Sequence, residues 1–312
     1  MTTAFNSKSS SDLVFPKFDD IKVSTKTYTA NTNLTINLDI LYKQLPITPY
    51  VVVVKKRGRK KKSDTFDPNK DVEYGSILTI KYENEIRGVE LKPKKTKQQE
   101  TKKWFRNSIT IVILLDKPVN FKVFRNGIFQ MTGSKSRSHA EMCVKYFWKY
   151  IQPYPDSYSF KTGSHLEALF IPSMRNIDFS LGFIVDREKL NEYMLNQEEL
   201  HCLLETSFGY TGVNIKVPLN KDITTMKVNK LIFSNETNEW TSVMTTYQEY
   251  LDTLQPKERQ LKLKAERYNT FLVFHSGKCI MSGLVSDFMR DTYDYFLNII
   301  RKAYDSIEER LD

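Results

Sequence analysis

Cysteine is scarce in this chain: Cys143, Cys202 and Cys279 are the three, and they stand far apart. That spacing leaves no disulfide framework and no CxxC metal knuckle, and it fits a reducing compartment in which the thiols are ordinary core residues. Histidine is nearly as rare, with His139, His165, His201 and His275 scattered along the sequence. No HExxH, Walker loop or GxSxG accompanies them, and Tyr210–Val213 is too short for a phosphate loop. The expectation is therefore a protein without enzymatic activity, without a metal and without a cofactor. No apolar run reaches about 18 residues, the length a membrane span needs, and the opening MTTAFNSKSSSD carries none. Neither a signal peptide nor a transmembrane helix is expected, and the chain reads as soluble and intracellular, with no membrane partner.

What is present is a large apolar complement and an excess of positive charge. With 312 residues, 40% of them hydrophobic and 12% aromatic, the chain can bury a sizeable core in one or two domains. A net charge of +10 favours a polyanionic partner, because each cation set on a phosphate releases a condensed counterion. Nucleic acid is the first candidate, although ribosomal, membrane-surface and merely soluble proteins share such a balance. Two basic runs, KKRGRKKK at Lys55–Lys62 and KPKKTKQQETKK at Lys92–Lys103, read as a nuclear-import signal, a nucleic-acid arm or solvated loops.

The strongest signal is internal repetition. VFRNGIFQMTGSKS, from Val123 to Ser136, recurs as VFHSGKCIMSGLVS, from Val273 to Ser286. In each copy an apolar strand ends at Phe124 or Phe274, a turn closes on Gly127 or Gly277, and a second strand ends at Gly133 or Gly283. A helix follows, capped by Ser136 or Ser138 in the first copy and by Ser286 in the second. Ala140, Val144, Phe147 and Ile151 recur at helical spacing, as Phe288, Thr292, Tyr295 and Ile299 do later. Upstream, a strand near Ile21–Tyr28 leads past Asn33 into a helix around Leu34–Gln44, and a strand near Asn176–Ile184 leads into a helix around Asp186–Leu204. The strands Tyr50–Lys56 and Tyr210–Val217 come next, so that one repeat reads as strand, helix, three strands, helix. An insertion of roughly fifty residues is expected at the same place in each copy, about 57–107 and about 218–267. The first contains strand-like YGSILTIKYE, and the second contains KLIFSNE and a helix from Thr241 to Leu254.

These strands do not alternate cleanly between apolar and polar. In YVVVVKK and in Phe271–Phe274 apolar groups fall on both faces, while Lys55, Lys56, Lys216 and Lys278 decorate strand ends. Either both faces are covered, or one is a flat apolar surface with a cationic rim, which suits the minor groove of DNA.

The pattern Phe-x-x-Gly-x-x-x-x-Thr/Ser-Gly, present twice with a helix after each copy, resembles the two halves of the TATA-box-binding protein family. Lys22–Leu41 is similar to that family's first strand and helix, and Tyr210–Val217 to a later strand; together the likeness spans both repeats. The resemblance implies an α+β fold, a pseudo-two-fold saddle whose curved antiparallel sheet carries helices on its convex side. An N-terminal tail (1–18) would precede repeats at 19–154 and 155–312. It also implies binding and bending of A·T-rich promoter DNA through the minor groove, with aromatic wedges inserted between base steps. By position the wedges are Phe124, Tyr50, Phe274 and Tyr210, the last-named tyrosines adding a hydroxyl that must find a partner when buried. Minor-groove contacts map onto Thr132, Ser282, Val23, Ile280 and Gln130, and phosphate contacts onto Lys56, Lys216 and Lys278. The family's paired asparagines map onto Ile21 in the first half and onto Asn176 or Ile177 in the second, where a one-residue register decides which faces outward. His275, in the turn beside Phe274, meets either a phosphate or solvent. Partners implied are promoter DNA, initiation factors resembling transcription factors IIB and IIA, and RNA polymerase, with the protein monomeric on DNA in the nucleus or at a site of viral transcription. Divergence and twin insertions point to a viral or deep-branching eukaryotic source. The competing reading is the same fold used as an interaction or assembly module without sequence-specific promoter binding.

Overall fold

In the computed structural model, which describes residues 13–52, 68–91, 107–134, 136–205 and 211–309, the repeated motif folds into the hairpin that its turn glycine predicts. The elements run β1 (Val23–Thr32), β2 (Leu34–Ile36), α1 (Leu38–Gln44), β3 (Ile77–Tyr82), β4 (Glu85–Gly88), β5 (Ser108–Leu114), β6 (Pro118–Phe124), β7 (Ile128–Ser134) and α2 (Arg137–Ile151). They continue with β8 (Tyr158–Phe160), β9 (Leu166–Ser180), α3 (Arg187–Leu195), β10 (His201–Glu205), β11 (Gly212–Pro218), β12 (Lys227–Ser234), β13 (Glu239–Thr246), α4 (Tyr247–Asp252), α5 (Pro256–Lys264), β14 (Tyr268–Phe274), β15 (Lys278–Gly283) and α6 (Ser286–Ile307). The class is α+β, with antiparallel strand pairs.

The chain divides into two compact units. Unit 1 takes the described residues of 1–26, 172–227 and 246–312; unit 2 takes those of 27–171 and 228–245. In unit 1 the strand order is β10-β11-β14-β15-β9. Strict alternation puts Val213, Ile215, Phe271, Val273, Cys279, Met281, Ile177 and Phe179 into one core with Leu190 and Met194 of α3 and the apolar stripe of α6. Phe271 stacks on Phe296 with ring centroids 3.9 Å apart. Fully burying an aliphatic or aromatic side chain of this kind contributes about 1.5–3 kcal/mol, so the core-facing parity of each strand is heavily enforced. Buried Asn269 is satisfied by donating to the Phe288 carbonyl and to Thr292 Oγ1, both at 2.8 Å.

In unit 2 the order is β1-β7-β6-β5-β3-β4, and β12 pairs with the first part of β9 and with β13. Phe121, Val123, Phe129 and Met131 pack beneath Ala140, Val144, Phe147 and Ile151 of α2, the helical stripe the sequence predicts. The ring of Phe129 meets Phe147 edge-on at 4.9 Å. Ser136 caps α2, its Oγ accepting from the His139 amide at 3.3 Å.

The two units share a bonding pattern as well as a motif. Phe121 faces Met131 in unit 2, and Phe271 faces Met281 in unit 1, a displacement of 150 positions in each strand. The Thr32 amide donates to Gly127 O as the Leu181 amide does to Gly277 O. Ile36 N reaches Arg125 O as Val185 N reaches His275 O, and Asn37 N reaches Ser157 O as Asp186 N reaches Ile307 O. Asn37 and Asp186 are the side-chain N-caps of α1 and α3. Equivalent elements are therefore β1 and β9, α1 and α3, β5 and β11, β6 and β14, β7 and β15, α2 and α6.

Several expectations change against these bonds. Tyr50–Val52 is not strand: the Asn69 side chain brackets Val51, accepting from its amide at 2.8 Å and donating to its carbonyl at 2.9 Å. The partner of β6 is β5, aligned Ser108 to Phe124 just as Gly212 aligns to Phe274. The stretch expected as a first insertion, about 57–107, thus includes β3, whose Ile77, Ile80 and Tyr82 belong to the core of unit 2. Both basic runs lie outside the described residues. The helix expected over Leu34–Gln44 starts later, after β2; the one expected over Asp186–Leu204 stops at Leu195, before β10; and Thr241–Thr246 is strand, with helix only from Tyr247. On α6 the buried stripe is centred on Met289, Tyr293, Phe296 and Ile300; of the expected positions Phe288 and Ile299 are buried, Thr292 is half-buried and Tyr295 is 39% exposed. Ser286 is the first helical residue rather than the cap. Leu13, Phe15 and Phe18, expected in a tail, are buried in the core of unit 1, where Arg290 forks onto Asp19 and the Tyr293 hydroxyl donates to Pro16 O at 2.7 Å.

Gly127 and Gly277 sit in the left-handed region, φ +72° and +73°, and a Cβ on either would run into a backbone carbonyl, that of Leu34 or of Phe183. Replacing either by alanine is expected to destabilise its own unit by about 2 kcal/mol or more, read as a lowered urea midpoint. An unchanged midpoint for both variants would show that the turn does not set the register.

Candidate nucleic-acid interface

The core-facing parity of unit 1 leaves the alternate residues on the opposite face, and register assembles them into rows. One row runs His201, Lys216, Thr270, Ser282, Asn176, and the next Leu203, Asn214, Leu272, Ile280, Asp178. Phe274 ends β14 opposite Gly212, and Lys278 pairs with Ser180. Leu203 is 62% exposed; Leu272, Phe274 and Ile280 are half-buried; Lys216, Lys278 and Asp178 are exposed. The face is thus a patch of aliphatic and aromatic groups interleaved with hydroxyls and amides, with lysines beside it. Such a surface offers van der Waals contact, hydrogen-bond donors of modest polarity and charge for an anion.

Of the residues expected to contact DNA, Phe274, Ile280, Ser282, Lys216 and Lys278 come together on this face. Tyr210 lies outside the described residues, as does Lys56. Register resolves the asparagine: Asn176 is on the open face opposite Ser282, and Ile177 is in the core. Val23 and Ile21 pack against the core of unit 1. The equivalents of Asn176 and Asp178 on β1 are Thr27 and Thr29, as the matching hydrogen bonds of Thr32 and Leu181 require. His275 is exposed and its Nε2 lies 2.9 Å from Glu309 Oε2. The Lys216 ammonium stands 6.0 Å from the ring centre of Tyr268.

Unit 2 offers a more polar face. Phe124 is half-buried on the side away from Val123, opposite Ser108; Thr110, Lys122 and exposed Gln130 form one row, and exposed Thr132 continues along β7. Beyond them Thr79 and Val112 are buried, and Thr79 Oγ1 donates to Val89 O, so the stretch after β4 covers that corner. Tyr50, in its irregular segment, is half-buried. The hairpin β12–β13 lies on the α2 side: Asn229 donates to Glu141 Oε1 at 2.7 Å, and the Lys145 ammonium sits 5.8 Å from the Trp240 ring centre.

Sequence reading missed Leu203, Thr270, Leu272, Asn214 and Asp178. The signal for Thr270 and Leu272 was the alternation within YNTFLVF; nothing local announces the other three, which depend on long-range pairing. Among the described residues no His, Cys, Asp and Glu cluster could hold a metal, and no helix is long and apolar enough to cross a membrane.

No protein-family model matches the chain. It is 27% identical over 291 residues to uncharacterized protein 335L of Invertebrate iridescent virus 6, an alignment covering 90% of this chain and 84% of that one. Among solved structures, the TBP of Methanococcus jannaschii aligns over 92% of this chain and 99% of that one, with a TM-score of 0.43 and 13% identity.

The thiols are poor nucleophiles here. Burial pushes Cys143 up to about 12 and Cys202 up to about 11, and raises Cys279 as well. Iodoacetamide at pH 8 is therefore expected to leave Cys143 and Cys279 unmodified in the native protein and to alkylate all three in urea. Fast native labelling of either buried thiol would contradict the packing described.

Proposed function

We propose that the chain is a DNA-binding transcription-initiation protein of TATA-box-binding-protein type, whose residues 19–154 and 155–312 are the two repeats of a saddle. In this reading it grips the minor groove of A·T-rich promoter DNA, bends it, and presents its helices and insertions to factors resembling transcription factors IIB and IIA and to RNA polymerase. It works as a monomer on DNA, without a catalytic step, in the nucleus or where a virus transcribes. The observation that carries the reading is the open face of unit 1, where Phe274, Leu272 and Ile280 stand beside Lys216 and Lys278 with Ser282 and Thr270 between them. An apolar patch with hydroxyls fits a groove floor of sugar edges and acceptors, and lysines at its margin fit the phosphates. The wedges are Phe124 and Phe274, with Tyr210 as the second ring of its half; Tyr50 drops out of this role, because β5 and not its segment is the counterpart of β11. Ser282, Ile280, Thr132 and Gln130 face the bases, and Asn176 joins them. The viral relative accords with a role in viral transcription.

One observation favours a second reading. The face of unit 2 carries Lys122, Gln130 and Asn120 where unit 1 carries Leu272, Ile280 and Thr270. A face so polar suits a protein partner as well as a groove floor, and the same fold would then serve as an interaction or assembly module without sequence-specific promoter binding.

Fluorescence transfer across a short A·T-rich duplex separates the two. Wild-type protein is expected to bring the labelled ends together, and Phe124→Ala or Phe274→Ala to weaken binding about tenfold with loss of much of the bend. A wild-type protein that binds no duplex, or binds without bending, supports the second reading.

Lys216→Ala and Lys278→Ala are each expected to reduce the slope of log affinity against log salt by about one. A slope unmoved by either substitution would remove both lysines from the phosphate contacts.

A further inference from the structure

One side chain on the open face of unit 1 does not belong on a surface that reads A·T pairs alone. Asp178 is exposed, stands opposite Ile280 in the row Asn214, Leu272, Ile280, Asp178, and points away from the core that holds its neighbours Ile177 and Phe179. It is held in place: Ser24 Oγ donates to Asp178 Oδ1 at 3.1 Å and lies 3.3 Å from Asn176 O. Among the described residues no lysine or arginine is within ion-pairing distance of it. The carboxylate therefore keeps acceptor capacity, on Oδ2 above all, directed at whatever covers this face.

A carboxylate only accepts hydrogen bonds, whereas the hydroxyls and amides around it donate as well. The minor-groove edge of an A·T pair presents only acceptors, adenine N3 and thymine O2; a G·C pair adds one donor, the guanine N2 amine. Over A·T, Asp178 loses water and gains nothing, facing acceptors of its own sign. Over guanine it gains a charge-assisted N–H···O bond, the stronger kind. Resting on the minor-groove reading above, we infer that Asp178 is a specificity determinant which makes this face select an exocyclic purine amine, one G·C pair within the A·T-rich site. Ser24 acts as its positioning residue.

The test uses the full chain and a set of A·T-rich duplexes in which one position at a time carries G·C, inosine·C, which lacks the amine, or 2,6-diaminopurine·T, which adds it to an A·T-like pair. Wild-type protein is expected to bind about tenfold more tightly at one position when the amine is present, whether from guanine or from diaminopurine. Asp178→Ala is expected to lose that preference and to bind the amine-free duplex more tightly than wild type does. Ser24→Ala, which frees the carboxylate without removing it, is expected to weaken the preference without abolishing it. Because Asp178 and Ser24 are exposed, both variants should keep the wild-type urea midpoint. Wild-type protein that binds and bends the duplexes but ignores the amine at every position overturns the inference and leaves the minor-groove reading standing. So does an amine preference that survives in Asp178→Ala. Wild-type protein that binds none of the duplexes overturns both.

Discussion

Strand register is the constraint on which the rest depends. Each hairpin closes on a glycine with positive φ seated over a carbonyl, and each pairs its strands with the same alignment, so that odd-numbered residues of β6 and β14 enter the core and even-numbered ones leave it. A slip of one residue would send Val273 outward and drive Phe274 under α6, against the stacked pair of Phe271 and Phe296. Several kcal/mol of apolar burial in each strand oppose that slip. The outward position of Phe124 and Phe274 is thus a consequence of what lies beneath them.

Local and periodic features were legible in the sequence. The two hairpins, their glycines, the Ser136 cap and the stripe of α2 follow from turn chemistry and from helical spacing over a dozen or more residues. Partner choice between distant strands was not. YVVVVKK resembles a strand at least as well as SITIVIL does, yet its described part, Tyr50–Val52, is irregular, while SITIVIL is β5 and meets β6 in the register that buries Ile109, Ile111 and Ile113. Val23 was misplaced for a related reason: β1 serves both cores, with Val23 packing in unit 1 and Tyr28 and Ala30 in unit 2, so a single parity cannot describe it. On α6 the expected stripe holds at Phe288 and Ile299 but takes Tyr295 where Phe296 is the covered ring, because both are aromatic and composition alone does not say which is covered. Leu13, Phe15 and Phe18 did carry a signal, three large apolar residues within six positions, that distinguishes them from the polar residues before them.

Divergence between the halves is uneven, and its distribution is informative. Beneath the sheets Phe121 corresponds to Phe271, Val123 to Val273 and Met131 to Met281, all unchanged, while Phe129 corresponds to Cys279 and Val119 to Asn269, so the core keeps three of these five positions. On the outer faces Lys122 corresponds to Leu272, Gln130 to Ile280 and Asn120 to Thr270, and only the terminal phenylalanine is kept. A solvated face tolerates such exchanges at little cost in stability, so stability does not explain why Phe124 and Phe274 persist.

Chemical inequality of the halves has a consequence for any ligand with two-fold backbone symmetry. Two identical faces would engage such a ligand equally in either direction. An aliphatic face carrying Asp178 and a polar face carrying Lys122 and Gln130 would make different contacts with such a ligand, so the two directions would differ in free energy by whatever those contacts differ. Single base-pair discriminations are worth about 1–3 kcal/mol, enough for roughly ten- to a hundredfold preference. On the minor-groove reading, a duplicated protein with two like cores and unlike faces would orient itself on DNA through side chains, and Asp178, an acceptor facing the acceptors of an A·T floor, would contribute to that orientation.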